Sequence, residues 1–338
     1  MARERDVRLD VLKALAILLV IFGHAVTLVF HGATNAPVWL ATAFSVGAAT
    51  DVQLFMFIAG YLAPRRAGAT WVGHRAMRLV VPLVAWSMIA FFWVNRAAGP
   101  LWFWRLLNYP FGGGLWFLYV LFELCVLYAL VGWNRWLLIA TAVACLFIDP
   151  SVRIAAIGMV APMFPLFVAG RLLSERKFEP GPWVMVLAVV LLAAVWTVPG
   201  ANPMYSVPEW SIRLSNSLGT TAWFADPVMI LLRALRIALE LSLVASCFWL
   251  VRKVKHGAWL GAITLGMYAS HQFFLPTTFS GSIQPLDVIT VTLIAAVGSA
   301  GTALLLERWQ TTQFLLLGWG KLPSWVTDRL GRKAAEDA

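Results

Sequence analysis

Apolar runs of membrane-spanning length follow one another along almost the whole chain. A helix that crosses a bilayer needs about 20 mainly apolar residues. Ten segments approach or reach that length: 10–30, 38–62, 79–98, 113–132, 134–149, 153–173, 183–199, 227–251, 258–280 and 286–306. Most connections between them are short. The pattern predicts an all-α, polytopic membrane protein with about ten transmembrane helices.

Positive charge is unevenly divided between the two sides that these ten spans would define. An even number of spans places both termini on one side, which would carry nineteen Lys and Arg residues against four on the other. Cytoplasmic loops are enriched in Lys and Arg, so both termini are predicted to be cytoplasmic. The last apolar run, 314–319, is too short to span. We therefore expect a transmembrane domain at 1–310, then an interfacial segment and charged cytoplasmic tail at 311–338.

The composition supports the same class of protein. Hydrophobic residues make up 61% of the 338 residues and charged residues only 12%, whereas a soluble domain carries about 25% charged residues. The net charge of +10 is accounted for by topology, so no nucleic-acid partner is expected. Cys125, Cys145 and Cys247 lie in apolar runs without a CxxC pair, which argues against a disulfide framework and a metal site.

Ionisable residues line one face of the first predicted span. Lys13 and His24 are eleven positions apart, which is about three helical turns and roughly 16 Å along the axis. Asp10 falls on nearly the same face. Ionisable groups inside membranes are costly unless they are paired or hydrated. His24 is therefore a candidate general base or transient nucleophile, and a histidine satisfied by a helix–helix hydrogen bond is the alternative.

Two further sets of ionisable residues are expected near the two ends of this face. Asp51, in the second span, is expected near the depth of His24, where a carboxylate could orient the imidazole; a structural cap or a partner for another cation is the alternative. Arg75 and Arg78 share a helix face at the cytoplasmic boundary, where paired guanidinium groups could hold phosphates. Simple positive-inside topology is the alternative for that pair.

Polar and aromatic residues recur at i, i+3 and i+7 in two later spans. One set could line a sugar-accepting cavity, with lipid-facing aromatics as the alternative for its first two members: Trp116, Tyr119 and Glu123. The other set could neutralise itself as a structural network or bind an anionic or polyhydroxyl acceptor: Arg233, Arg236 and Glu240. His271 is a second intramembrane histidine, for which a structural hydrogen bond and catalysis are both open.

The order of these groups resembles the membrane-bound acyltransferase family 3, which includes O-acetylases of bacterial polysaccharides and glycolipids. That family carries a basic residue, ten residues and then histidine in its first helix; here these are Lys13, in place of the usual arginine, and His24. Four further segments are similar to its motifs: Leu54 to Leu62 to "FFFISGFL" with Ala59 for serine, Arg75-x-x-Arg78 before Pro82 to its basic loop, Leu115 to Leu118 to "LWFL", and Gly266 to His271 to "GIYLLH".

The resemblance implies an inner-membrane O-acyltransferase. Its donor would be cytoplasmic acyl-CoA, expected to be acetyl-CoA, and its acceptor a hydroxyl of an envelope carbohydrate or glycolipid, with membrane lipid around it and no metal. We expect His24 and Asp51 to be catalytic, and Lys13, Arg75 and Arg78 to hold CoA. The expected acceptor-binding residues are Trp116, Tyr119, Glu123, Arg233, Arg236, Glu240 and His271.

Two alternatives stay open from the sequence. A transporter or flippase for an acylated or glycan compound could use the same polar face as a translocation path, and would move substrate without acyl transfer. A different membrane O-acyltransferase fold would place its catalytic histidine late in the chain, at His271.

Overall fold

The computed structural model covers the full chain and describes residues 6–30, 36–90, 92, 115–148, 156–175, 178–197, 227–254, 256–275 and 284–319. Within these ranges the regular secondary structure is helical, which confirms the predicted all-α class. The helices are α1 Val7–Val29, α2 Val38–Ala48, α3 Asp51–Tyr61, α4 Ala69–Ala90, α5 Trp116–Val131, α6 Arg135–Ala144, α7 Ile157–Leu173, α8 Trp183–Thr197, α9 Pro227–Val251, α10 Ala258–Ala262, α11 Thr264–Ser270, α12 Pro285–Leu306 and α13 Gln310–Leu317. Short 3-10 turns follow α6, at Cys145–Phe147, and α11, at His271–Phe274.

Four segments of the described chain are long and apolar enough to cross a membrane: Val7–Val29, Val38–Tyr61, Met229–Val251 and Pro285–Leu306. Shorter apolar helices lie at Trp116–Val131, Arg135–Phe147, Ile157–Leu173 and Trp183–Val195. Large apolar side chains project outward from α8 and α12, where Val186 is 66% and Val297 70% exposed. Such surfaces fit contact with lipid, and the chain is a multi-pass membrane protein. The count of ten spans and the side of the termini stay predictions, since several predicted spans and the tail from 320 lie partly or wholly outside the described residues.

Two predicted spans are not continuous helices. The span predicted at 38–62 is interrupted between α2 and α3, where the Thr50 hydroxyl donates to the Val46 carbonyl at 2.6 Å. A threonine that bonds back to the preceding turn competes with the helical ladder and bends the helix. The span predicted at 258–280 is divided, over its described part, into α10, α11 and a 3-10 turn. The first break makes Asp51 the first residue of a helix, which its position in an apolar run did not predict.

Helix α1 lies at the centre of the bundle. It packs against α2, α3, α9, α10, α11 and α12. Leu12, Ile17 and Ile21 are fully buried within it, and its mainly apolar sequence suits a position among several helices. Near its N-terminal end the backbone of Asp10 lies directly against Gly261 of α10. The residues on α1 are therefore held by neighbours on several sides.

Helices α3 and α7 cross with their backbones in direct contact. A Cβ atom at Gly60 would overlap the carbonyl of Phe167, and a Cβ atom at Gly170 would overlap the carbonyl of Phe57. Small residues allow this close approach, which is a common way to pack helices inside membranes. The reciprocal pair of glycines fixes α3, which begins at Asp51, against α7.

An arginine-rich contact joins α7 to its neighbours at the end that is predicted to be cytoplasmic. The Arg171 Nε atom donates to the Tyr128 hydroxyl at 3.2 Å, and that hydroxyl donates to the Pro64 carbonyl at 2.7 Å. The guanidinium groups of Arg171 and Arg65 lie 4.2 and 5.5 Å from the Trp133 ring centroid. These contacts give Arg171 a structural role.

Replacing either crossing glycine by alanine should destabilise the protein. The new methyl group meets backbone atoms that cannot rotate away, so Gly60→Ala or Gly170→Ala should lower the free energy of unfolding by about 1–3 kcal/mol. Thermal unfolding of purified protein in detergent measures the change. Gly73→Ala on α4 is the control, since nothing lies within 4 Å of a Cβ there. Equal melting temperatures for the three variants would contradict the close crossing.

Candidate functional site

The two intramembrane histidines meet inside the bundle. His24 lies on α1, and His271 opens the 3-10 turn after α11. Their rings stack with centroids 5.1 Å apart and planes inclined by 24°. His271 is fully buried, while His24 is partly exposed. The sequence indicated each histidine separately, and the packing of α11 against α1 brings them together.

A backbone carbonyl orients the His271 ring. The Nδ1 atom lies 2.6 Å from the Tyr268 carbonyl oxygen. In the neutral ring Nδ1 therefore carries the proton and donates it, which leaves a lone pair on Nε2. Nε2 is buried and has no hydrogen-bond partner within the part of the chain that the structure describes. In its neutral form, His271 thus presents an acceptor nitrogen beside His24.

Tyr268 connects this histidine pair to α5. Its hydroxyl oxygen accepts a hydrogen bond from the Phe117 backbone N–H at 3.3 Å, and the Phe117 and Tyr268 rings pack edge to face with centroids 5.1 Å apart. In the sequence, Tyr268 was indicated only as part of the segment from Gly266 to His271. Its position three residues before His271 on a helix was the available signal, because residues three apart are neighbours.

Asp51 does not bond to His24. Its carboxylate accepts from the Val52 backbone N–H at 2.6 Å, and it interacts electrostatically with Glu240 and Tyr268. Among the described residues no hydrogen bond joins Asp51 to either histidine. Equal depth along two helices does not determine which way a side chain points, so the expected contact depended on a helix rotation that the sequence does not specify.

A buried polar network links α3 to α9. The Arg236 Nε atom donates to Glu240 Oε1 at 3.0 Å, and Gln53 Nε2 donates to the same oxygen at 3.2 Å. Arg233 donates to the Leu146 carbonyl at 2.6 Å. This arrangement agrees with the self-neutralising network proposed for α9. Gln53 was missed, although an amide in an apolar helix is itself a signal of a buried hydrogen bond.

Arg75 and Arg78 line a pocket of about 330 Å³ between α4 and α13. Trp71, His74, Phe314 and Gly318 complete its wall. The Arg75 guanidinium lies 5.2 Å from the Trp71 ring centroid. We call this the α4–α13 pocket. It combines two cations with aromatic rings, and it takes one wall from a segment that the sequence indicated only as interfacial.

Helix α13 is fixed on α4 by two contacts. The Trp86 Nε1 atom donates to the Leu316 carbonyl at 2.8 Å. Gly318 ends α13 with φ of 67°, a left-handed conformation that glycine adopts without strain. A Cβ atom there would overlap the Arg78 carbonyl. The wall of the α4–α13 pocket is therefore held in place by backbone as well as side-chain contacts.

Lys13 lies apart from this pocket. Its ammonium group pairs with the Asp10 carboxylate at 3.1 Å, beside the contact of α1 with α10. Lys13 was expected to lie with Arg75 and Arg78, but it is not among the residues that line the α4–α13 pocket. Pairing with Asp10 compensates the charge of Lys13 within an otherwise apolar helix.

Glu123 lies in a separate groove of about 290 Å³ among α5, the turn after α6 and α7. The other groups along the groove are mainly apolar, including Val126, Leu130 and Ile157. Tyr119 interacts electrostatically with Glu123, whereas Trp116 packs against the main core cluster. Of the three residues predicted to line one cavity, Glu123 contributes directly to the groove.

Comparisons with known proteins match this chain to one family over most of its length. A family model described as an acyltransferase domain, of acyltransferase family 3, matches residues 6–308. The nodulation protein NolL of Sinorhizobium fredii is 29% identical over 213 residues, which are 58% of this chain and 56% of that protein. The nodulation protein NolL of Mesorhizobium japonicum is 28% identical over 186 residues, 51% of this chain and 48% of that protein.

The extent of these matches differs. The chain spans about half the length of the curated relatives that it matches. No solved structure matches significantly. The family model, by contrast, extends from the start of α1 to the end of α12, over nearly all of the described helices. The chain therefore belongs to acyltransferase family 3, as its motifs predicted.

Proposed function

We propose that the protein is an inner-membrane O-acyltransferase. It moves an acyl group, expected to be acetyl, from cytoplasmic acyl-CoA to a hydroxyl of an envelope carbohydrate or glycolipid. The single observation that carries the proposal is the stacked pair of His24 and His271 inside the bundle. Membership of an acyltransferase family supports the class of reaction, and the pair supports its location.

The α4–α13 pocket is the proposed site for the nucleotide part of the donor. Two guanidinium groups on one helix face suit phosphate oxygens through charge-assisted hydrogen bonds. Trp71 and Phe314 provide aromatic surface for a base. Acyl-CoA carries both chemical groups, and the predicted topology places this pocket on the cytoplasmic side. The pocket therefore supports acyl-CoA as the donor.

Lys13 has a smaller part in this proposal. Its ammonium group already pairs with Asp10, so a phosphate would have to compete with a carboxylate that shares its helix. The single positive charge of lysine also lacks the planar fork with which arginine holds phosphate. We assign the main phosphate contacts to Arg75 and Arg78, and a supporting electrostatic contribution to Lys13.

At the histidine pair, His24 is the proposed general base. It takes the proton of the acceptor hydroxyl as that oxygen attacks the thioester carbonyl carbon. The new carbon–oxygen bond forms, the carbon–sulfur bond breaks, and the proton passes from His24 to the departing CoA thiolate. Transient transfer of the acyl group to His24 is the second form of the same reaction, and it uses the same residue.

His271 is the proposed partner of His24. Its neutral ring faces the His24 ring, and an aromatic face attracts a cation that lies over it. This contact would favour the imidazolium that His24 becomes when it accepts a proton. The Tyr268 carbonyl holds the His271 ring in position. We thus assign His271 a positioning role.

The remaining candidates divide into support and acceptor contact. Arg233, Arg236 and Glu240 already bond to one another, to Gln53 or to backbone, and are proposed to hold α9 against α3. Asp51 begins α3 and interacts with Glu240 of this network. Glu123, with Tyr119 near it, is the proposed contact for acceptor hydroxyl groups, and Trp116 supports α5 from the core.

Removing the His24 imidazole should abolish most of the acyl transfer. Loss of a general base typically lowers turnover by about 10²–10⁴-fold, so His24→Ala should lose kcat by that amount while the KM for acetyl-CoA changes little. The assay follows labelled acetyl-CoA into envelope extract with purified protein. His256→Ala, at an exposed position, is the matched control. Full ester formation by His24→Ala would show that His24 is not catalytic. Substrate flux without ester formation by the unmodified protein would support a transporter instead.

Removing the guanidinium groups should weaken donor binding selectively. Each charge-assisted hydrogen bond contributes about 1.5–3 kcal/mol, so Arg75→Ala and Arg78→Ala should each raise the KM for acetyl-CoA by about tenfold or more. Acetyl-pantetheine, which lacks the nucleotide, should be used equally well by both variants and the unmodified protein. Arg66→Ala, at an exposed position in the preceding turn, is the control. An equal loss with both donors would place the phosphates elsewhere.

A further inference from the structure

The groove beside Glu123 has the shape and lining of a site for a hydrocarbon chain. It extends along α5 from Glu123 to Leu130, and along the first turns of α7 from Ile157 to Ala161. Leu130 is 79% and Ile157 39% exposed, while Ala161 is buried at its floor. The volume is about 290 Å³. We call this feature the Glu123 groove.

The position of the groove determines which molecules reach it. Its walls are α5 and α7, two apolar helices of a multi-pass membrane protein. Glu123 is seven residues into α5, roughly 10 Å along the helix axis from Trp116. The medium beside an outward-facing apolar groove on such helices is lipid rather than water. The chains of membrane lipids are therefore the molecules that enter it from the side.

The groove is not purely apolar, because it contains a hydrogen-bond acceptor. The Glu123 carboxyl group lies within it. A carboxylate offers more acceptor positions than one neighbouring tyrosine fills. A bare hydrocarbon would supply no donor to this carboxyl group, whereas a lipid that carries hydroxyl groups would.

The groove also adjoins the buried polar network. Cys145 and Ile148 form one of its walls and, on their other side, line a cavity of about 20 Å³ with Arg236 and Glu240. A cavity of this size is large enough for about one water molecule. The apolar groove is thus more exposed than the polar cluster beside it. A lipid likewise combines an apolar chain with a polar head, so its two parts match these two neighbouring sites.

We propose that the Glu123 groove binds the hydrocarbon chain of a lipid-linked acceptor that carries hydroxyl groups. The inference rests on the proposed O-acyltransferase function and narrows its acceptor. The acceptor enters laterally from the bilayer, its chain lies along Val126 and Ile157, and its hydroxyl groups bond near Glu123. A free polysaccharide would have no chain to place there.

Photo-crosslinking tests the binding directly. The probe is a monohexosyl diacylglycerol with a diazirine in one chain, added to the purified full-length protein in lipid nanodiscs. Label should concentrate in peptides that contain 126–130 and 157–161. Ile157→Trp, which fills the groove mouth, should reduce this label by about tenfold, as expected when bulk is added to a fitted apolar pocket. Val189→Trp, at a 66% exposed position on α8, should leave it unchanged.

A transfer assay tests whether the bound lipid is the acceptor. Membranes that contain each variant receive labelled acetyl-CoA, and alkali-labile label is divided between organic and aqueous phases. Label should appear in the organic phase. Ile157→Trp and Glu123→Leu should lower it by about tenfold, while Glu123→Gln, which keeps an acceptor oxygen, should retain most of it.

The outcomes separate this inference from the proposed function. Ester label only in water-soluble polysaccharide, unaffected by Ile157→Trp, would overturn the groove assignment and leave the O-acyltransferase function standing. Equal crosslinking of α8 and the groove would mean bulk lipid contact only and would also overturn it. Crosslinking of the groove without ester formation on any acceptor would overturn the proposed function while lipid binding stands.

Discussion

The cost of an unpaired polar group inside a membrane governs this structure more than any single packing contact. Each ionisable side chain of α9 has a hydrogen-bond partner nearby. Glu240 accepts hydrogen bonds from Arg236 and Gln53, and Arg233 donates one to the Leu146 carbonyl. Since hydrocarbon supplies no partners, these bonds restrict which helices can be neighbours. The network thereby holds α3 against α9, and the glycine crossing holds α3 against α7.

The same rule makes the exceptions informative. His271 Nε2 is buried without a partner among the described residues, and the Glu123 carboxyl group lies in an apolar groove. A folded protein loses stability by leaving such groups partly satisfied. Retaining them is consistent with partners that arrive from outside the chain. His271 lies at the proposed reaction centre, whereas Glu123 lies in the groove that is proposed to bind lipid. The two groups would therefore serve different parts of one transfer, the reacting groups and the chain of the acceptor.

Sequence reasoning succeeded where the geometry of one helix was enough. The spacing of Arg236 and Glu240, and of Arg75 and Arg78, predicted shared faces, and the structure has these pairs on a common network and in a common pocket. It failed where two helices had to meet. The stacking of His24 on His271 depends on how α11 returns to α1 after two helix breaks. The contribution of α13 to the pocket of Arg75 likewise depends on a segment of eight residues docking on a distant helix.

Lys13 shows how a local pairing accounts for a departure from the family pattern. Family members usually have arginine there, whose planar fork suits phosphate. In this chain a compact ammonium group meets one carboxylate three residues earlier on the same helix, a spacing that places the two side chains side by side. The backbone of that same Asp10 lies against Gly261 of α10, which leaves little freedom in this turn. A lysine that pairs with Asp10 is therefore compatible with the proposed donor site, in which Arg75 and Arg78 of α4 would supply the bidentate phosphate contacts.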